Sequence, residues 1–313
     1  MERTRVRCYT IEIMSGKKIC AITGSNGYVG GCVKNHFAAH GWEILELVRR
    51  PEPGARATAF QLGADISPQA LAGVTALVHC AYDLKLVRRE EIRAVNVEGS
   101  RKVLEAARAA NIPKIVFISS ISAFDGCRSL YGRAKLEIEK IALENGALAI
   151  RPGLVHGNNP GGMVGKLVAQ IRKSPVIPLA GGGSQMQYLV HDEDLCSFIE
   201  KYAAGNIGLA PRILTAANEQ PLAFRQLLSE IARALGKKPK FIPLPWRLAW
   251  AGLKSAEMCG LKLNFRSDSL MSLMHPNPRP DFSANLEAGL ICRPFQFKGG
   301  MKNEEIHCES SKR

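Results

Sequence analysis

Ile19-Cys20-Ala21-Ile22-Thr23-Gly24-Ser25-Asn26-Gly27-Tyr28-Val29-Gly30 is the stretch that decides the fold. A short apolar run of strand length leads into a glycine-rich turn. A helix follows, because Val29, Val33 and Phe37 recur every four residues. A strand, a tight turn and a helix N-terminus make a site for a dinucleotide pyrophosphate. Gly24 permits the turn, Gly27 lets phosphates approach the backbone, and Gly30 allows close helix–strand packing. Ser25, Asn26, Tyr28 and Val29 belong to the same cradle, where unpaired N–H groups and a positive dipole end meet the anion.

Working outward, apolar runs of strand length alternate with helical patterns. They are Glu43–Val48, a short element ending at Ala64-Asp65-Ile66, and Ala76–Ala81, followed by a helix through Val103, Leu104 and Ala107. Then come Lys114–Ser119, a helix from Tyr131, and Leu148-Ala149-Ile150. This alternation implies α/β architecture: a doubly wound parallel sheet with right-handed crossovers, covered on both faces. Beyond Arg151-Pro152-Gly153, Gly and Pro become frequent, at Asn159–Gly162 and Gly181–Gly183. Helices at about 222–235 and 246–259, separated by the Pro-rich Pro239–Pro245, read as a smaller, mainly helical substrate lobe over the carboxyl ends of the strands. The expected division is a disordered extension at 1–15, a nucleotide-binding domain at 16–158, a lobe at 159–300 interleaved with the last sheet strands, and a flexible tail at 301–313. The helix at 246–259 sets Trp246, Trp250, Leu253 and Met258 against Arg247, Lys254 and Glu257. A basic amphipathic helix can lie on a membrane surface; we read this one as packing into its own lobe.

Composition narrows the function classes. The 313 residues suffice for a large core. No run approaches roughly 18 uninterrupted apolar residues, so no transmembrane helix is expected. Residues before Met14 lack the apolar core of a signal peptide. Nine cysteines, an odd number without a Cys-x-x-Cys pair, argue for reduced thiols and a cytoplasmic setting. Seven dispersed histidines offer no metal-site spacing, so no metal is expected. The net charge of +14 favours anionic partners such as a phosphorylated cofactor or substrate. With aromatics at 6% and basic residues spread along the chain, nucleic acid is not an expected partner.

The second chemical signal is Tyr131-Gly132-Arg133-Ala134-Lys135. On a helix Tyr131 and Lys135 lie one turn apart on a face continued by Ile138 and Ala142. A lysine on an apolar stripe must be paired or functional. A free phenol titrates near about 10, too high for a base near neutrality, and a neighbouring ammonium lowers it. Ser119 and Ser120 close the preceding strand at its carboxyl end, where α/β sheets bind ligands.

Thr23-Gly24-x-x-Gly27-x-x-Gly30 together with Tyr131-x-x-x-Lys135 resembles the short-chain dehydrogenase/reductase superfamily, in its extended NAD-dependent epimerase/dehydratase branch. Supporting matches run through most of residues 17–300: Asp65-Ile66, Val78–Ala81, Asn96–Gly99, Phe117–Ser120, Arg151–Gly153 and Leu189–Leu195. The resemblance implies a Rossmann-type fold. It makes Tyr131 the general acid/base, and Lys135 the residue that binds the nicotinamide ribose and lowers the tyrosine pKa. Ser120 orients the substrate hydroxyl or ketone, and Asn96 helps hold the active-site helix or its water. It further implies cofactor contacts from Asp65, Ile66, Cys80, Ala81 and Pro152, and a homodimer through the helices at 96–110 and 131–145.

This chain departs from that family pattern in three places. Ser120 and Tyr131 stand only eleven residues apart, which shortens the pocket roof and admits Ser122 as the alternative serine. The second strand ends Leu47-Val48-Arg49-Arg50, with Val48 where NAD-preferring members carry an acid; Arg49 and Arg50 suit a 2′-phosphate and favour NADP, while Glu46 keeps NAD open. Gln187, beside Tyr188, stands where nucleotide-sugar members commonly carry an arginine, and a neutral amide cannot clamp a phosphate as a guanidinium does. Ser122, Gln187 and Tyr188 are the candidate substrate contacts. The expectation is an NAD(P)-dependent nucleotide-sugar epimerase/dehydratase acting on a sugar nucleotide or another phosphorylated carbonyl or hydroxyl compound. The alternatives are an NADPH-dependent ketone reductase or hydroxysteroid-type dehydrogenase, and a non-catalytic NADP-binding sensor, against which the intact Tyr131/Lys135 pair argues.

Overall fold

Strands that are apolar on both sides need cover on both faces, and the chain is layered accordingly. The computed structural model describes residues 17–298 apart from Pro211, Lys262 and Asn264. The expected extension at 1–15 and tail at 301–313 lie outside the described residues.

The first half runs β1 (Ile19–Thr23), α1 (Tyr28–Ala39), β2 (Glu43–Val48), β3 (Ala57–Ala59), β4 (Ala76–His79), α2 (Arg89–Ile92), α3 (Glu98–Ala109), β5 (Lys114–Ile118), α4 (Leu130–Glu144) and β6 (Leu148–Pro152). The second half continues with β7 (Leu154–His156), α5 (Gly162–Lys173), β8 (Val176–Ala180), β9 (Met186–Gln187), β10 (Leu189–His191), α6 (Asp192–Ala203) and β11 (Ile213–Ala216). It closes with β12 (Leu222–Ala223), α7 (Phe224–Ala234), β13 (Lys240–Leu244), α8 (Trp246–Met258), α9 (Ser267–Met274) and α10 (Asn285–Ala288).

Seven strands form one parallel sheet in the order β11-β6-β5-β4-β1-β2-β3. The order reverses between β1 and β4, so the crevice at their carboxyl ends is the switch point where such sheets take ligands. Successive strand residues alternate between two cores. Cys20, Ile22, Val78, Val116 and Ile150 face α1 and α6. Ala21, Leu77, Ile115, Phe117 and Ala149 face α3 and α4. A third core joins α5, α7, β8 and β10 in the second lobe.

Two local expectations shift. The short third element is β3 at Ala57–Ala59, and Ala64-Asp65-Ile66 is a loop pinned by Lys102, whose Nζ reaches Asp65 at 2.7 Å and the Gly63 carbonyl at 3.1 Å. The Pro-rich stretch 239–245 holds a strand, β13, paired in parallel with β8; its Pro243 is tolerated because this small sheet has only two strands and every strand is an edge.

A buried polar chain fixes the switch point. Thr23 Oγ1 accepts the N–H groups of Cys80 and Ala81, both at 3.1 Å, and donates to His79 Nδ1 at 2.6 Å. Ser100 Oγ donates to the Asn96 carbonyl at 2.6 Å, so it accepts from His79 Nε2 at 2.8 Å. The direction of each bond thus sets one tautomer, Nε2–H. Burial pushes the His79 pKa down to about 3, and the Lys135 charge adds to the effect. His156 is likewise pushed down, to about 4.

A folded-state pKa below the unfolded value means that the unfolded chain takes up the proton first, so stability is lost as pH falls from the unfolded value of 6.5 toward about 3. Across that window wild type should lose about 1.4 kcal/mol more per pH unit than His79→Gln. Urea unfolding of both proteins at pH 6.5 and pH 5 checks this, with His156 common to both; equal slopes would remove His79 from the account.

Candidate active site

The turn after β1 has the shape an anionic dinucleotide needs. Gly24 has φ +71°, and a Cβ there would sit 2.9 Å from the Ala81 backbone. A Cβ on Gly30 would stand 2.2 Å from the Gly24 carbonyl oxygen, so the helix can approach the turn only without a side chain. Gly27 is the N-cap of α1 and brings no side-chain cap, leaving the first-turn N–H groups for a ligand. Ser25 is 2% exposed, and its Oγ has no hydrogen-bond partner. An orphaned buried hydroxyl beside an uncapped helix end fits a pyrophosphate oxygen. Asn26 is exposed and Val29 is half-buried against the core. Tyr28 turns its side chain elsewhere: its hydroxyl donates to Asp192 at 3.1 Å, and its ring fills the space that a Cβ on Gly161 would occupy.

Across the switch point stand Ser120, Tyr131 and Lys135. Tyr131 is half-buried and hydrogen-bonded to Ser120. Burial pushes its phenol above the ordinary value, and the Ser120 hydrogen bond opposes that shift. Lys135, 3% exposed, donates to the Ile118 carbonyl at 2.7 Å and lies over the rings of Phe117 at 4.7 Å, Tyr82 at 5.0 Å and Tyr131 at 6.0 Å. Burial lowers its pKa to about 8, against the pull of Cys80 and Glu139. Desolvation dominates, and Tyr131 holds its proton at neutral pH. Of the two candidate serines, Ser120 makes the phenol bond, while Ser122 N–H donates to Ser120 Oγ at 3.1 Å and steadies it.

Three supports were missed in the sequence. Glu139, 1% exposed, accepts from Arg151 at 2.7 and 2.6 Å and from Ser119 at 2.5 Å, bracing the end of β5 against α4 and β6. Its place four residues after Lys135 was the available signal. His79 lay in a matched strand, but its partners are distant in sequence. Asp268 on α9 had no sequence signal at all. Its carboxylate accepts the N–H groups of Leu130 at 2.7 Å and Tyr131 at 3.0 Å, while Ser129 Oγ accepts Gly132 N–H at 3.0 Å. Together they satisfy the start of α4. Arg266 donates to the carbonyls of Leu84 and Leu86 and faces Glu257, which also accepts from Ser267 N–H at 2.8 Å and Oγ at 2.7 Å.

The remaining candidates fall as follows. Arg49 and Arg50 are exposed at the end of β2 and have no ion-pair partner among the described residues. Glu46 lies further back and meets Lys34 at 3.3 Å. Asp65 is exposed and Ile66 half-buried in the pinned loop. Cys80 and Ala81 abut Gly24, and the Cys80 thiol is pushed up to about 12 by burial. Asn96 clamps the Asp83 backbone, accepting at 2.7 Å and donating at 3.2 Å, so it holds the loop after β4. The Pro152 carbonyl accepts Ile121 N–H at 3.0 Å. Gln187 folds its amide back to the carbonyls of Met186 at 3.0 Å and Gln185 at 3.4 Å, and Tyr188 packs on Phe282 with centroids 5.7 Å apart. Neither makes a hydrogen bond to Ser120, Tyr131 or Lys135. No cluster of metal-binding side chains occurs among the described residues.

A family model described as NAD dependent epimerase/dehydratase matches residues 20–213, a span that holds the cradle, Ser120, Tyr131 and Lys135. A ceramide reductase of Caulobacter vibrioides is 27% identical over 238 residues, covering 72% of this chain and 74% of that protein. A decarboxylating sterol-4-alpha-carboxylate 3-dehydrogenase of Bos taurus is 25% identical over 275 residues, covering 77% and 76%. The solved structure of MoeE5 with UDP-glucuronic acid and NAD is similar in fold, with a TM-score of 0.64 at 19% identity over 88% of this chain and 96% of that one.

Asp268 should act as a positioning residue for Tyr131. Asp268→Ala is expected to lower kcat by about tenfold, since small displacements of a reacting group are costly, and Asp268→Asn to recover part of that loss by restoring one acceptor. Steady-state kinetics alongside thermal unfolding check this. Lower stability with unchanged kcat would reduce Asp268 to a helix cap.

Proposed function

The chain belongs to the NAD-dependent epimerase/dehydratase family, and on that premise we propose that it is an NAD(P)-dependent oxidoreductase working at a hydroxyl-bearing or ketone carbon. The observation that carries this reading is the pairing of Tyr131 with Ser120 at the carboxyl end of β5, with buried Lys135 one turn along α4. A bound nicotinamide dinucleotide would supply the hydride acceptor or donor. Gly24–Tyr28 backbone, Ser25, the Cys80–Ala81 segment and Lys135 would hold it. Tyr131 exchanges a proton with the substrate oxygen, and Ser120 gives that oxygen a second hydrogen bond. A protonated phenol donates to a carbonyl oxygen that gains charge, and the phenolate accepts the proton in the reverse step.

For the cofactor, NADP is the finer reading. Arg49 and Arg50 are exposed at the strand end that faces the adenine ribose in this fold, while Glu46 is engaged by Lys34. For the substrate, an apolar, lipid-type alcohol or ketone fits best. Gln187 offers no cation for a diphosphate, and the named relatives act on a ceramide and a sterol. A second reading, epimerisation or dehydration of a nucleotide sugar, is favoured by the +14 charge and by MoeE5, which holds UDP-glucuronic acid in its structure. A binding-only sensor has no use for the Tyr131–Ser120 bond.

Stoichiometric NADPH oxidation with an apolar ketone is the expected result; tightly held NAD⁺ with no net turnover would favour the second reading. Tyr131→Phe should lower kcat by at least about 100-fold while changing cofactor Kd little, as measured by single-turnover kinetics and fluorescence titration. Arg49→Ala with Arg50→Ala should weaken NADP by about tenfold or more and leave NAD within about threefold, because a charge-assisted contact is worth about 1.5–3 kcal/mol. Equal losses for both nucleotides would refute the 2′-phosphate assignment.

A further inference from the structure

The sequence reading buried the 246–259 helix in its own lobe, and the structure does so only in part. None of the residues of α8 is buried. Trp246, Trp250 and Leu253 form its half-covered inner side, with Trp246 edge-on to His275 at 5.5 Å. The opposite side is open: Leu248 is 69% and Met258 80% exposed, and small Ala251, Gly252 and Ser255 lie between them. At the two ends, Ile242 on β13 is 51% and Leu261 60% exposed.

The charge on this segment has one sign. Between Gly236 and Leu261 the chain carries five basic residues, Lys237, Lys238, Lys240, Arg247 and Lys254, and a single acid, Glu257. That acid is not available outside, since its side chain is 6% exposed and engaged by Ser267 and Arg266. Exposed aliphatic side chains set among basic residues only, on a helix without buried residues, have the chemistry of an interfacial helix.

We propose that the outer side of α8, continued by β13 and Leu261, docks on an anionic lipid bilayer, with Leu248 and Met258 entering the acyl boundary and the lysines and arginine at the headgroups. Charge decides the occupant. A second copy of the chain meeting the same patch about a two-fold axis would set basic residues against basic residues, whereas an anionic membrane surface attracts each of them. The inference does not rest on the substrate reading, because docking is measured without substrate. It does place a lipid surface near the site. Glu257 bonds Ser267, and the adjacent Asp268 bonds the backbone of Tyr131, so α8 is joined to the catalytic helix through short hydrogen bonds.

The test is sedimentation of the full chain with vesicles of phosphatidylcholine containing 30% phosphatidylglycerol, and with pure phosphatidylcholine. Binding to the anionic vesicles that is lost in high salt is expected, with little binding to the neutral ones. Leu248→Asp with Met258→Asp should weaken that binding at least tenfold while circular dichroism and cofactor affinity stay unchanged. Both proteins carry the same termini, so undiminished binding by the variant would assign it elsewhere and overturn the proposal. Absence of binding by wild type would overturn it too. So would a dimer, seen by sedimentation velocity, that the same substitutions dissociate, because a second copy would then be the occupant. Loss of vesicle binding with intact turnover on a soluble ketone leaves the enzymatic reading standing, and the converse separates the two in the other direction.

Discussion

The close approach of Gly24 to Ala81, where a Cβ would stand 2.9 Å from backbone, is the constraint on which the rest of the molecule depends. It brings the ends of β1 and β4 together at the point where strand order reverses. Thr23, one residue earlier, ties that junction down by accepting the Cys80 and Ala81 N–H groups. From there a continuous set of bonds runs through His79, Ser100 and Asn96 to the Asp83 loop. Arg266 holds the carbonyls further along that loop, and its neighbours Ser267 and Asp268 reach Glu257 and the backbone of Tyr131. The glycine turn and the Tyr131 helix are thus connected twice, once through the sheet and once through α8 and α9. Each bond is worth little by itself, but a buried chain of such bonds admits few alternative arrangements.

Dryness sets the electrostatics around this frame. Burial lowers Lys135 and raises Tyr131, so both tend toward their neutral forms. One ion pair sits nearby, Glu139 with Arg151, and it is held in bidentate geometry with Ser119 supplying a further bond. Such a pair contributes position more surely than net stability, because desolvation offsets much of its Coulomb attraction. Here it fixes the strand end that carries Ser119 and Ser120 relative to the helix that carries Tyr131.

Much of this was legible in local sequence. The glycine spacing at 24, 27 and 30 and the Tyr131/Lys135 pair needed only neighbouring residues, since strand–turn–helix geometry and the helical repeat place them. The parallel, doubly wound sheet followed from the alternation of apolar runs with helices. Where the structure adds to that reading, the deciding contact was remote. Pro239–Pro245 was read only as a Pro-rich stretch between two helices, yet β8 offered it an edge on which Pro243 costs nothing in partner bonds. Tyr28 belonged to the glycine run, but Asp192 and Gly161, far along the chain, claim its side chain.

By itself the sequence determined the parallel sheet, the glycine turn after β1 and the placing of Tyr131 and Lys135 one helical turn apart. Those features arise from residues a few positions apart or from periodic patterns, and local sterics settle them. Only the tertiary structure decided that Ser120 rather than Ser122 is the serine beside the phenol, that burial raises Tyr131, and that Asp268 caps α4 from 137 residues away. Such outcomes depend on burial and on which distant groups share a small volume. No spacing along the chain encodes those quantities.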